Sequence, residues 1–125
     1  MGHMNVTWYM SKFDQATWHL FALLGMTPDY FRKQQRGMAA VRQEITYRAE
    51  LLAGDLVTVR SGVLEIQGRK LRFFHEMWNE ASGRISAATI LTGVHLDTTI
   101  RKACPFPEEI LEKAQGMTGN YRPDV

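Results

Sequence analysis

The chain has 125 residues, a formal net charge of +2 and a hydrophobic content of 45%. These values favour one domain spanning residues 1–125 with a single packed core. The 15 basic and 13 acidic residues are too evenly balanced to indicate a nucleic-acid partner. Lys12 and Asp14 interrupt the most apolar stretch, so we expect no membrane span.

The cysteine and histidine content bears on the compartment and on metals. Cys104 is the one cysteine of the sequence, so an internal disulfide is excluded. The first residues lack the basic and apolar regions of an export signal, and a cytoplasmic location is therefore expected. The four histidines are scattered without metal-ligand spacing, so we expect no metal and no other cofactor.

The first 24 residues are typical of a polar turn that runs into one long helix. Residues 2–5 supply the turn, and Asn5 is suited to cap the helix. Apolar residues then recur at the spacing of a helix buried on several sides: Val6, Tyr9, Met10, Phe13, Ala16, Leu20, Leu23 and Leu24, with Trp8, Trp18 and Phe21 widening the stripe. The exposed remainder is predicted to be Ser11, Lys12, Gln15 and Thr17.

The chain after Gly25 predicts mostly strands. A short helix is expected within residues 28–36, and alternating or β-rich segments predict strands at 38–50, 56–66, 70–79 and 84–97. The first of these strands should have one solvent-facing side, and Gly62 should mark a bulge or bend in the second. Residues 98–104 are irregular, and 108–115 form an amphipathic helix.

The order of these elements predicts the fold class. Consecutive strands joined by short turns are antiparallel neighbours. One long buried helix followed by such strands indicates an α+β fold, in which an antiparallel sheet of about four strands wraps a central helix.

Several short motifs resemble those of the hotdog-fold acyl-CoA thioesterases of the 4-hydroxybenzoyl-CoA thioesterase type. The family's opening pattern is D-x-x-G-H-x-N, a helix with Tyr, then Phe-acidic-x-Ala, which Gly2, His3, Asn5, Tyr9, Phe13, Asp14 and Ala16 fit without a gap. Further matches are residues 53–55 (AGD), 71–77 (LRFFHEM), 95–97 (HLD) and 105–107 (PFP). The resemblance covers roughly residues 2–112 and implies a hotdog fold. Its GHMN, FHEM and PFP motifs look most like relatives that hydrolyse betainyl-CoA in carnitine breakdown.

The sequence departs from the family pattern at its beginning. The family's catalytic Asp would fall two residues before Met1, and its first strand would precede that Asp. We interpret this as a start assigned too late or as a shortened relative. A vector remnant at residues 2–4 is disfavoured by the ungapped fit of His3 and Asn5.

The resemblance and the residues together give candidate catalytic groups. Free N–H groups at a helix N-terminus suit a developing oxyanion, and by resemblance the N–H of Val6 polarises the thioester carbonyl. His3 and Asn5 either shape this loop or simply form a turn and cap. Asp14 is the substitute carboxylate, a base or water-orienting group facing a partner subunit; its alternative is an ordinary solvated carboxylate.

Other residues are assigned to binding or to the core. Tyr9 is placed with substrate binding through its match to the family motif. The basic cluster Arg69, Lys70 and Arg72 either is a solvated edge or attracts the phosphates of coenzyme A. His75 and His95 are expected to be core histidines rather than catalytic bases. Trp8, Met10, Trp18 and Phe21 are interpreted as core and dimer packing, with an aromatic cage for a cationic acyl group as the alternative.

The predicted function is hydrolysis of a small acyl-CoA, possibly betainyl-CoA, to the acid and free coenzyme A. By resemblance, the protein should be a homodimer or homotetramer with active sites between subunits. The alternative from another class is a non-catalytic acyl-CoA-binding or scaffold protein that has lost the catalytic Asp. A hotdog dehydratase ranks last because the sequence has no hydratase-like His-Gly helix motif.

Overall fold

The computed structural model describes residues 6–52 and 54–118. Helix α1 (Val6–Leu23) comes first and confirms the predicted long helix. Gly25 adopts a φ of 100°, a left-handed conformation that favours glycine, and its N–H donates to the Ala22 carbonyl. The chain therefore turns sharply after the helix and enters the next element at Thr27.

A second, short helix fixes the route from α1 to the sheet. Helix α2 (Pro28–Gln34) is capped by Thr27, whose hydroxyl accepts a hydrogen bond from the N–H of Tyr30. Gln35 takes a left-handed conformation at the helix end, with φ of 52°. This short helix was predicted within residues 28–36, and it delivers the chain directly to the first strand.

Within the described residues, five strands form one antiparallel sheet. They are β1 (Arg36–Tyr47), β2 (Val57–Gln67), β3 (Lys70–Asn79), β4 (Arg84–Asp97) and β5 (Lys102–Ala103). The strand order is β1-β4-β3-β2, and β5 pairs with the end of β4. Helix α3 (Glu108–Met117) follows and packs on the core through Ile110 and Ala114.

The sheet wraps α1 with one of its two faces, here called the inner face. Along β3, Leu71, Phe73, His75 and Met77 are directed inward and buried, as their alternation predicts. Phe21 of α1 meets Phe73 at a ring-centroid distance of 5.5 Å, and Phe13 stacks on His75 at 5.9 Å. The core therefore lies between the apolar stripe of α1 and the inner face.

Several local predictions were wrong. Thr17 is half-buried rather than exposed, and Trp18, predicted in the apolar stripe, is 59% exposed. Strand β1 ends at Tyr47 rather than 50. Its residues 40–44 are exposed on both faces because no element of the described chain covers this edge of the sheet. Residues 98–104 include β5, and α3 extends two residues further than predicted. The register of β2 shifts between Val63 and Glu65 rather than at Gly62.

Candidate active site

The N-terminus of α1 is the first part of the candidate site. The helix begins at Val6 and has no acidic residue in its first turn. The first N–H groups of a helix lack partners within the helix and carry a partial positive charge. No carboxylate of that turn neutralises this charge, so the end of the helix can stabilise an oxyanion. His3 and Asn5, predicted to shape this region, lie outside the described residues.

Asp14 is exposed on one flank of α1. Phe13 stacks on His75 at the centre of the inner face, and each helical residue advances about 100° around the axis. Lys12, Ala16 and His19 line a groove against β2, so they occupy the flank opposite to Asp14. Asp14 therefore points to the side of the uncovered strand β1.

Val6 and Asp14 are far apart along the same helix. Asp14 comes eight positions after Val6, which corresponds to a rise of about 12 Å. An oxyanion donor and a base must both lie within about 3 Å of the reacting groups. The two residues of one protomer therefore cannot act directly on the same carbonyl.

His75 is fully buried and connects α1 to the sheet through two side-chain hydrogen bonds. Its Nε2 lies 2.8 Å from the Thr17 hydroxyl, and its Nδ1 lies 2.6 Å from the Ser61 hydroxyl. Thr17 donates its own proton to the Phe13 carbonyl, so it accepts from Nε2–H. Nδ1 then accepts the proton of Ser61. Both ring nitrogens are satisfied, which confirms the prediction of a core histidine.

Burial lowers the pKa of His75 from the usual 6.5 to about 4, and this predicts a loss of stability in acid. The unfolded chain binds a proton at His75 below about pH 6.5, whereas the folded chain does so only near pH 4. The free energy of unfolding should therefore fall by roughly 3 kcal/mol between pH 6.5 and pH 4 through this group. Urea unfolding of the wild type and of His75→Gln across this range measures the effect.

The matched control for this prediction is His19→Gln. His19 is exposed on the same helix, so this variant removes a histidine while keeping the hydrogen bonds of His75; it should lose stability in acid as the wild type does. His75→Gln should be less stable at pH 7.5 but lose much less stability on acidification. An unchanged pH dependence in His75→Gln would contradict the assignment.

The inner face is open beside β1. Gln43 is exposed there, and its Nε2 lies 3.5 Å from the hydroxyl of the fully buried Thr89. At the end of the strand, Tyr47 meets Tyr9 of α1 at 5.1 Å between ring centroids. Tyr9 is only 6% exposed, and burial raises the pKa of its hydroxyl. Its position favours core packing, while Gln43 is better placed to contact a ligand.

The predicted basic cluster lies on the outer face, opposite to α1. Lys70 and Arg72 line a trough of about 520 Å³ there together with Arg42 of β1, and Arg69 is exposed in the β2–β3 turn. Glu44 and Glu65 also line the trough, and Glu44 pairs with Arg42 at 2.6 Å. Within one protomer, the cluster and Asp14 therefore lie on opposite sides of the sheet.

His95 is the second predicted core histidine, and it is also confirmed. Its Nδ1 lies 3.0 Å from the Cys104 carbonyl, to which it donates, and its Nε2 accepts from the Tyr30 hydroxyl at 2.8 Å. The ring is fully buried, and burial lowers its pKa. His95 thus fastens α2 and the segment after β5 to the sheet.

The described part of the chain offers neither a metal site nor a membrane-spanning helix. Residues 6–52 and 54–118 contain no group of three or more His, Cys, Asp or Glu side chains that could hold a metal ion. Over the same residues, each helix is too short or too polar to cross a membrane.

Sequence reasoning missed the polar groups that meet His75 and the exposed Gln43. Ser61, His75 and Thr89 are neighbours across three strands. In the sequence, each of these three is a polar residue at an inward position of an alternating strand. Which of them contact one another depends on the strand register.

A long helix held in the inner face of an antiparallel sheet defines the hotdog architecture, and the fold prediction is confirmed. Residues 1–114 match the thioesterase-like superfamily. The chain therefore belongs to this superfamily, as the motifs of its first helix and third strand predict.

Two relatives agree with this assignment, and a solved structure shares the fold. The chain is 28% identical over 114 residues to an L-carnitine dehydrogenase/betainyl-CoA thioesterase of Agrobacterium fabrum, covering 88% of this chain but 22% of that protein. It is 22% identical over 121 residues to a betainyl-CoA thioesterase of Pseudomonas aeruginosa, covering 97% of this chain and 76% of that protein. A hypothetical protein of Staphylococcus aureus solved in complex with CoA is 17% identical, with a TM-score of 0.90 over 99% of this chain and 80% of that one.

Proposed function

We propose that this protein is an acyl-CoA thioesterase. The observation that carries the proposal is the beginning of α1 at Val6 with no carboxylate in its first turn, in a chain of the thioesterase-like superfamily. Helix N–H groups would hold the thioester oxygen while water adds to the carbonyl carbon. The C–S bond then breaks, the sulfur takes up a proton, and the acid and free coenzyme A leave.

The water needs a base, and we assign this role to Asp14 of a second subunit. The separation of about 12 Å along α1 prevents Asp14 from serving the carbonyl held by Val6 of its own protomer. A twofold dimer would bring Asp14 of one subunit toward the helix N-terminus of the other.

The edge of β1 supports such a dimer. Among the described residues, β1 pairs only with β4, and Val41 and Tyr47 are 60% and 46% exposed. An uncovered strand edge is a template for pairing with another chain. We therefore propose a homodimer or homotetramer that pairs through β1. We also propose that the protein works in the cytoplasm.

The proposed acyl group is small, and betainyl is the preferred candidate. The relatives from A. fabrum and P. aeruginosa carry this substrate in their names. Trp18 lies four residues after Asp14, so the two share a flank of α1. The exposed Trp18 ring contacts Phe21 and Phe31 at 6.1 Å each. An aromatic surface beside a carboxylate suits a trimethylammonium group.

Coenzyme A itself would be held in part by basic side chains. Lys70 and Arg72 in the outer trough could contact its phosphates, with Arg69 at the adjacent turn. Since these residues lie across the sheet from Asp14, they would serve an active site completed by another subunit.

Thiol release from a panel of acyl-CoAs tests the proposal. The central pair is betainyl-CoA and 3,3-dimethylbutanoyl-CoA, which have the same shape but differ by the positive charge. We expect hydrolysis of both, with kcat/KM about tenfold higher for betainyl-CoA because of the cation–π contact. Trp18→Leu should remove this preference without abolishing hydrolysis.

The outcomes separate the rival functions. A folded dimer, verified by light scattering, that releases no thiol from any acyl-CoA is not a thioesterase. Binding of CoA by that dimer would instead identify a non-catalytic acyl-CoA-binding protein. Equal rates on the two isosteres would reject the cationic acyl group but retain thioester hydrolysis.

A further inference from the structure

A second, smaller cavity lies at the β2 side of the sheet. Its volume is about 240 Å³, and it is lined by Arg60, Gly62, Val63, Phe74, Glu76 and Met117. Glu76 alternates along β3 with the inward-pointing His75, so its side chain is directed to the outer face. The cavity is therefore separate from Asp14 and from the open inner face beside β1.

Glu76 is the most unusual group of this cavity. Glu76 is only 1% exposed, and its Oε1 lies 3.4 Å from the indole Nε1 of Trp78. Its Oε2 has no hydrogen-bond partner within residues 6–52 and 54–118. A buried polar atom without a partner is costly, and burial raises the pKa of this carboxyl group. The site thus favours a ligand that brings a hydrogen-bond donor.

A cation stands next to this acceptor. Arg60 of β2 is directly opposite Glu76 in the strand register, and its guanidinium carbon lies 5.5 Å from the centre of the Trp78 ring. The guanidinium has planar N–H donors that suit a carboxylate. The cavity therefore offers one anionic acceptor and one cationic donor side by side.

The rest of the wall is apolar. Val63 and Phe74 are buried, and Met117 closes the side toward α3 with 39% of its surface exposed. Gly62 is paired with Phe74 across the strands, and a Cβ there would lie only 2.7 Å from the Phe74 ring. Glycine at this position leaves room for the Phe74 ring, which lines the cavity and can contact an apolar group.

We infer that this cavity binds a small zwitterion, an α-amino acid with a short apolar side chain. Its ammonium group would donate to Glu76 Oε2, its carboxylate would accept from Arg60, and its side chain would pack on Phe74 and Met117. A simple amine would face the charge of Arg60, and a simple carboxylate that of Glu76, whereas a zwitterion pairs both. The volume of about 240 Å³ is that of roughly eight water molecules. Leucine has about nine non-hydrogen atoms, so its size is close to that of the cavity.

Titration with L-leucine, followed by ¹⁵N–¹H spectra, tests this inference. The indole N–H of Trp78 is the reporter because it contacts Glu76, and Trp78→Phe identifies it among the three tryptophans. Isopentylamine and 4-methylpentanoate are leucine without its carboxylate and without its ammonium group. We expect leucine to shift the indole N–H signal of Trp78. The shift should saturate at leucine concentrations below about 10 mM, which corresponds to a millimolar dissociation constant. Each analogue should bind at least about tenfold more weakly.

Two variants and a control complete the test. Glu76→Gln and Arg60→Gln should each weaken leucine binding at least about tenfold, since each leaves one charge of the zwitterion unpaired. Glu65 lies on the same strand as Arg60, is exposed and is outside this cavity. Glu65→Gln should therefore leave leucine binding unchanged. No saturable shift, or equal binding of leucine and both analogues, would overturn the inference. A shift of the Trp78 signal on dilution of the protein without leucine would also overturn the inference, because a second copy of the chain would then cover the cavity.

Discussion

Asp14→Asn is expected to lower kcat for thioester hydrolysis by roughly 10²- to 10⁴-fold, the usual contribution of a general base. The amide keeps the shape of the carboxylate but cannot accept a proton from water. Because Asp14 is exposed, the variant should fold and assemble as the wild type does. The measurement is thiol release under saturating acyl-CoA, alongside a thermal unfolding curve.

The control for this variant removes a carboxylate elsewhere. Glu112 is exposed on α3, and Glu112→Gln should leave kcat unchanged. If Asp14→Asn retains full kcat, Asp14 is an ordinary solvated carboxylate and the base must be sought in another group. A change confined to KM would assign Asp14 to binding of a cationic acyl group rather than to proton transfer.

Val6→Pro is expected to lower kcat by roughly 10²- to 10³-fold, as the loss of one oxyanion donor does in other enzymes. Proline has no N–H, yet it is well tolerated at the first position of a helix. The residue before a proline favours an extended backbone, which is also the conformation of an N-cap residue. The substitution thus removes the donor while preserving α1, and circular dichroism verifies the helix content.

Val6→Ala is the matched control because it shortens the side chain and keeps the backbone N–H. It should retain kcat within about threefold, since an exchange at a helix terminus costs little. Equal losses in Val6→Pro and Val6→Ala would mean that the side chain matters and the N–H does not.

Mixing the two inactive variants tests whether Val6 and Asp14 act from different subunits. In a mixed dimer, one site would combine the intact Val6 of one subunit with the intact Asp14 of the other. Random reassociation of equal amounts should then restore about a quarter of wild-type activity. If both groups came from the same subunit, every site would carry one defect and no activity would return.

Local sequence patterns were sufficient to predict most elements of the fold. The apolar spacing from Val6 to Leu24 located α1, because a helix held in a sheet must be apolar around much of its circumference. Alternation along residues 70–79 assigned Leu71, Phe73, His75 and Met77 to one face, since strand geometry has a period of two. The motif matches of the first helix also indicated the superfamily.

The tertiary structure decided which side chains meet. Thr17 could not be distinguished from an exposed helix residue, because its contact with His75 depends on how α1 is rotated on the sheet. The lowered pKa of His75 follows from that burial, which no local pattern encodes. The burial of Glu76 was also not predicted, because the β2–β3 register decides which of the described residues surround its carboxylate and leaves Oε2 without a hydrogen bond from them.

The sequence by itself therefore determined the elements, their periodicity and the family, since these depend on residues close together in the chain. Only the tertiary structure decided the arrangement of the site. It separated Asp14 from the basic cluster by the thickness of the sheet and left the β1 edge open. These relations join residues from different strands, so they depend on register, helix rotation and the packing of the whole chain.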